Sequence, residues 1–398
     1  TTHDISDADF MAGKNRFERN ASTGSVVNDG ELKAALGGYI ALLAPEVRNQ
    51  GAVIAQMGTV AMASGEAVDL KFDSNNRLTS LRVDASQIAA LVDNRHAVQA
   101  PGGLVIISAQ SIDRLVGGVV KNSGRIEATG IQSDGGRIVL TGSHKVSNSG
   151  SLDVSSATAQ GGSISVQSAD IELNDGTRID ATGATGGGTV LVGGNWQGSA
   201  DPLLAATEQP TQAAVNVTMA SGATIDASAT QQGNGGTVVL WSDVANPSSN
   251  TSAYGHINAS GGAAGGDGGQ IETSGQTLNT DGIAVHAGSN GGKNGLWFLD
   301  PTYSTINAAA VTNFLTALNG GTDVLNSATN ISWTTGVNLL KNAGGDATLT
   351  LRAGVDLAIG NTISIASTSG KLNLLLWSGW DSSGSRGIIS IGSASITT

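Results

Sequence analysis

The 398 residues carry a formal net charge of −12, no cysteine, 57 glycines, only 6 prolines and an apolar fraction of 39%. No disulfide or thiolate site is available, nucleic acid and anionic membranes are electrostatically disfavoured, and no apolar run approaches the roughly 20 residues of a membrane span. Frequent glycine, scarce proline and ample apolar content suit short strands joined by sharp corners.

Residues 1–24 show no repeat and read as an opening segment, with Phe10 and Phe17 expected to pack on the turn of chain that follows. Repetition then begins. Val27-Asn28-Asp29-Gly30 and Arg48-Asn49-Gln50-Gly51 stand 21 residues apart, and strands at 39–43 and 59–63 follow the corners Gly37-Gly38 and Met57-Gly58. Residues 66–83 alternate through Val68, Leu70 and Phe72, turn at Asp73-Ser74-Asn75-Asn76 and return through Leu78, Leu81 and Val83. That pattern predicts a hairpin outside the repeat. Asp84 then caps an expected helix over 84–93 with Ile88, Leu91 and Val92 as its apolar stripe.

Residues 101–290 hold the most regular block. The doublets Gly135-Gly136, Gly161-Gly162 and Gly187-Gly188 are 26 residues apart, as are Ile138, Ile164 and Val190, and Leu140, Val166 and Val192. Ser165 lies between two such apolar positions and is expected to face solvent. A second strand follows Asn122-Ser123-Gly124, Asn148-Ser149-Gly150 and Asn174-Asp175-Gly176, where Asn and Gly are expected to supply positive φ, and it buries Ile126, Leu152 and Ile179. A unit this short cannot close its own core and must stack on copies of itself, which makes the chain an all-β parallel β-helix of roughly 13 to 15 rungs. Residues 196–212, with Pro202 and Pro210, are a surface loop bulging from one rung. Residues 291–398 continue the solenoid, with Gly295–Pro301 as apolar punctuation before a second short helix at 308–318 that Asn307 caps and Gly320 ends.

Catalytic chemistry is hard to find. His3, His96, His144, His256 and His286 are scattered as surface or turn residues, no phosphate loop or metal-protease motif occurs, and Gly261 to Gly269 with Asp267 reads as a turn rather than a calcium repeat. Glu127, Asp153, Asp180 and Asp226 each follow an inward Ile or Leu and should form an outward column. That column is either a solvated, aggregation-resistant face or a weak cation or glycan site. Trp241, Trp377 and Trp380 are outward aromatics suited either to stacking on sugars or to burial under a loop. No catalytic, cofactor or metal-binding residue is assigned.

Several stretches resemble the filamentous-haemagglutinin-type exoproteins of bacterial two-partner secretion. They are Asp4-Ile5-Ser6-Asp7-Ala8-Asp9-Phe10 with Gly13 and Arg16-Phe17; residues 37–47, from Gly37-Gly38-Tyr39 to Pro45-Glu46-Val47; residues 187–198, which contain Asn195-Trp196-Gln197-Gly198; and the block from Trp297 to Pro301. The resemblance implies a right-handed β-helix, export through an outer-membrane pore-forming partner, a secreted or cell-surface location in a Gram-negative bacterium, and adhesion to a host-cell or matrix glycan or protein. It places residues 25–100 at the end of a secretion-domain β-helix. The family's Asn-Pro-Asn-Gly-type signal is absent, so the chain is expected to begin inside that domain. A non-enzymatic adhesin stalk is the leading expectation; the alternatives are a polysaccharide-cleaving β-helix and the delivery stalk of a contact-dependent toxin.

Overall fold

Three short strands separated by tight corners recur along the chain, and each pairs in parallel with its counterparts one turn earlier and one turn later. The computed structural model describes residues 1–113, 117–131, 135–379 and 387–397. Its long face is a twelve-stranded sheet from Tyr39–Leu43 to Leu372–Trp377. Two nine-stranded faces complete the section: one ends at Thr277–Asn279 and is called the amide face, the other ends at Ala284–His286 and is called the acid face. This is the right-handed parallel β-helix expected from the sequence. Twelve strands rather than 13 to 15 stack on the long face because several turns carry insertions and are longer than 26 residues.

The inward columns follow the repeat. Val105, Ile138, Ile164, Val190 and Val238 stand in register, as do Ile107, Leu140, Val166, Val192 and Leu240, all inside one continuous core. The glycine doublets permit the rungs to close up. A Cβ on Gly162 would lie 2.1 Å from the Gly136 carbonyl oxygen, and one on Gly188 would lie 2.2 Å from that of Gly162.

The asparagines of the turns have a different role from the one expected. Neither Asn122 nor Asn148 has positive φ. They are buried, and their carboxamides form a ladder up the inside of the amide face: Asn28 donates to Asn49, Asn49 to Asn94, Asn94 to Asn122 and Asn122 to Asn148, at 2.8, 2.8, 2.7 and 2.6 Å. The next rung places Leu173 in register, and Asn148 donates instead to the Thr177 hydroxyl at 3.2 Å. Each rung thereby fixes the register of the next with a bond that has no water to replace it. Asn94→Ala leaves an acceptor on Asn122 and a donor on Asn49 unmatched and is expected to cost about 3 kcal/mol, whereas Asn28→Ala at the end of the ladder should cost about 1. Denaturant midpoints of the two variants check this, and equal losses would contradict a ladder.

Four expectations need correction. Residues 84–93 are not a helix: Leu78–Asp84 is the return strand of the hairpin and Leu91–Asn94 a strand of the amide face, because in-register pairing with Glu46–Asn49 and Val119–Asn122 outweighs a three-residue stripe. Phe10 does not pack on the first rung; it is 68% exposed on helix α1 (Asp7–Met11). Phe17 packs against the hairpin, because Arg16–Glu18 pairs antiparallel with Ala67–Phe72 and Arg16 bonds Asp69 and Asp84, each at 2.9 Å. Residues 196–212 do bulge from one rung as expected, but they carry helix α2 (Pro202–Ala206), which buries Leu203 and Leu204 on Val139. Ser165 is fully buried beneath α2 and donates to Asp201 at 2.6 Å. The hairpin, Ala67–Phe72 with Leu78–Asp84, stands outside the solenoid as expected.

Helix α3 (Ala308–Asn319), capped by Asn307, replaces one acid-face strand. The long face runs on past it, but the amide and acid faces break and resume as separate sheets that begin at Tyr303–Ile306 and Leu339–Lys341.

Candidate functional site

The acid column exists in the expected register. Glu127 pairs with Asp153, Asp153 with Asp180, Asp180 with Asp226, and the column continues through Asn258 to His286. Its chemistry is chiefly that of corners. Asp153 Oδ1 accepts from the Ser155 amide and hydroxyl at 2.9 and 2.7 Å, Asp180 Oδ1 from the amide and hydroxyl of Thr182 at 3.0 and 2.7 Å, and Asp226 Oδ1 from the Ser228 amide at 2.9 Å. Each half-buried carboxylate thus closes its own turn in the manner of an Asx motif. Glu127 differs, being only 6% exposed; Gln99 donates to it at 2.6 Å and Arg125 pairs with it. Where the column ends, Arg178, Asp180, Asp226, His256, Asn258 and His286 line a groove of about 480 Å³ walled on one side by Gly320 at the end of α3. Burial, and then the neighbouring His256, hold the His286 imidazole below its usual pKa. Among the described residues no three His, Asp or Glu side chains are placed to hold a metal ion.

Trp241 lies round the corner on the long face and is half-buried under a turn. A Cβ on Gly194 would lie 2.5 Å from its ring, and one on Gly198 would lie 3.1 Å away, so both glycines are needed for the turn to settle on the indole. The tryptophan floors a cleft of about 360 Å³ with Gln167, Asn195, Asp201 and Gln212 on its walls. Trp377 is 55% exposed farther along the same face, and Trp380 lies outside the described residues.

A more unusual feature is one that sequence reasoning missed. Glu272 is fully buried on the outer side of the long face; its Oε2 accepts from the Gln197 amide at 2.8 Å and its Oε1 from the Ser274 hydroxyl at 2.7 Å. Burial pushes its carboxyl up to about 7, and Asp300 nearby is pushed up to about 6. A signal was present in the sequence, because Glu272 occupies a column otherwise filled by Val139, Ser165, Leu191 and Val239. Beside it Trp196 packs on Phe298, the register neighbour of Glu272, with ring centroids 5.8 Å apart; farther back along the same face Gln209 donates to the Leu81 carbonyl at 2.5 Å and Lys71 bonds Glu208 at 2.5 Å. The hairpin and the 196–212 excursion, far apart in sequence, therefore form one lid.

The solved structure of the HMW1 secretion domain from Haemophilus influenzae has a similar fold, with a TM-score of 0.62 over 75% of this chain and 73% of that one, at 23% identity. A comparison with curated proteins finds no match. The family comparison is more specific. Residues 1–154 match the TPS secretion domain. Over those residues the two-partner-secretion part of the reading made from the sequence is borne out. The part matching the TPS secretion domain contains the hairpin, the whole asparagine ladder, Glu127 and Asp153. Asp180, Asp226, Trp241 and Glu272 lie beyond it, on rungs that the same stack carries forward.

Proposed function

We propose that the chain is a non-enzymatic adhesin stalk, secreted or displayed on the surface of a Gram-negative bacterium and exported through an outer-membrane pore-forming partner. The observation that carries this reading is the match of residues 1–154 to a TPS secretion domain, followed by rungs stacked on it without a break in the long face. Such a rod suits display. Hydrolysis of a glycosidic bond needs two carboxyls facing one bond, whereas Asp153, Asp180 and Asp226 each commit an oxygen to their own corner. The contact region is the groove of Asp180, Asp226 and the two histidines, extended along the acid column by Asp153 and round the corner by Trp241. Its ligand is a glycan or protein of a host cell, matrix or biofilm.

Binding of the purified chain to glycan arrays and immobilised matrix proteins tests this reading. Asp180→Asn combined with Asp226→Asn keeps both corner acceptors and removes two charges, so binding is expected to fall by about tenfold at an unchanged melting temperature. Full binding by that variant would remove the groove from the contact surface. Turnover of an acidic polysaccharide by the parent chain would overturn the non-enzymatic reading.

A further inference from the structure

The break in the amide face leaves a seam. Thr277–Asn279 ends one sheet and Tyr303–Ile306 begins the next; the two are successive strands of the same face, yet they do not pair. Just before them the Thr302 amide donates to the Gln276 carbonyl at 3.3 Å and the Thr302 hydroxyl to the Gln276 side-chain oxygen at 2.5 Å, and α3 packs against the later strand. Between them opens a cavity of about 380 Å³ that reaches the interior of the solenoid. Its inner wall includes Leu299, Phe314 and Asn326, which are 5%, 2% and 1% exposed. Asn326 belongs to the long face and stands in register with Leu299 and Leu351, where every other rung places an apolar side chain or a threonine. It donates to the Ser304 hydroxyl at 2.7 Å, and its carboxamide oxygen has no partner.

A buried acceptor without a donor costs about 1–3 kcal/mol, so its presence on a cavity wall points to a ligand group that completes it. The mouth supplies the complementary chemistry. Thr277, Thr305, Asn279 and Asp281 present hydroxyl, amide and carboxylate groups, and Tyr303, 70% exposed, offers a ring face at the rim. No arginine, lysine or histidine stands among the described lining residues, so nothing there would neutralise an anionic ligand. Short-range donors and acceptors round an apolar floor, with an aromatic ring at the edge, match an uncharged polyhydroxylated ring.

We infer that this seam binds a neutral saccharide residue, whose hydroxyl donates to Asn326 while its apolar face rests against Tyr303 and Phe314. The inference rests on the attachment reading and adds to it a second contact site with its own ligand class. It also places the sugar away from the acid groove.

The test titrates the purified chain with methyl glycosides of neutral hexoses, and separately of a hexuronic acid, and maps hydrogen-exchange protection. Neutral glycosides are expected to protect residues 277–281 and 303–307, and the uronic acid to bind about tenfold more weakly or worse. Asn326→Leu keeps the volume and removes the acceptor; Tyr303→Ala changes an exposed side chain that folding does not require. Each is expected to weaken the neutral glycoside by about tenfold, while Ser163→Asp, on a long-face strand far from the seam, leaves it unchanged. Absence of protection at the seam, preference for the uronic acid, or full binding by Tyr303→Ala overturns the inference. If the chain still attaches to cells or matrix in that case, the seam site falls and the adhesin reading stands.

Discussion

Ile164→Asp is expected to destabilise the chain by more than about 4 kcal/mol, because it places an unpaired charge in a core that each rung shares with both neighbours. Ser165→Asp, one residue along and pointing the other way, should also be costly, by about 3 kcal/mol. Its carboxylate would meet Asp201, which receives the Ser165 hydroxyl at 2.6 Å and caps α2 by accepting from the Leu203 amide at 2.8 Å. Ser163→Asp, half-exposed on the same strand, serves as the control and should cost less than about 0.5 kcal/mol. Melting temperatures of the three variants decide the matter. A Ser165→Asp protein as stable as the control would mean that α2 does not seal the long face.

The second large effect is a dependence on pH through Glu272. Its carboxyl titrates near 7 in the folded chain against an ordinary value of 4.5, so the folded state keeps a proton that the unfolded chain releases. The resulting stabilisation is complete below about pH 4.5 and is lost as pH rises through 7, and it amounts to about 3 kcal/mol. Asp300 acts in the same direction over a lower window, from 3.8 to about 6. Glu272→Gln removes the charge while retaining an oxygen for the Gln197 amide. The variant should therefore gain stability over the parent as pH is raised from 5 to 8, measured as the difference in urea midpoint. A difference that is the same at both pH values would show that Glu272 is ionised throughout, and the buried-acid account would fail.

The sequence by itself determined the solenoid. A period of 26 residues brings chemically equivalent positions into contact at every turn, so Ile138, Ile164 and Val190 had to be neighbours once the chain stacked at all, and the column from Glu127 to Asp226 followed in the same way once the insertions before Asp180 and Asp226 were allowed for. The hairpin and α3 were legible because each is built from local signals: alternation with a turn in one, a cap and a terminating glycine in the other. What covers the outside was not legible. Ser165 looked exposed because its strand alternates correctly, and only the return of the chain 36 residues later puts Asp201 above it. Glu272 is buried by Gln197, 75 residues earlier, and the lid closes through a bond between Gln209 and Leu81 that spans 128 residues. The asparagine ladder hid for a related reason. At a corner, Asn suits a turn and a buried amide stack equally well, and only the distance to the next rung distinguishes them. Periodicity settles which residues meet along the stack, whereas contacts from insertions that leave the stack have no period, so the tertiary structure alone decides them.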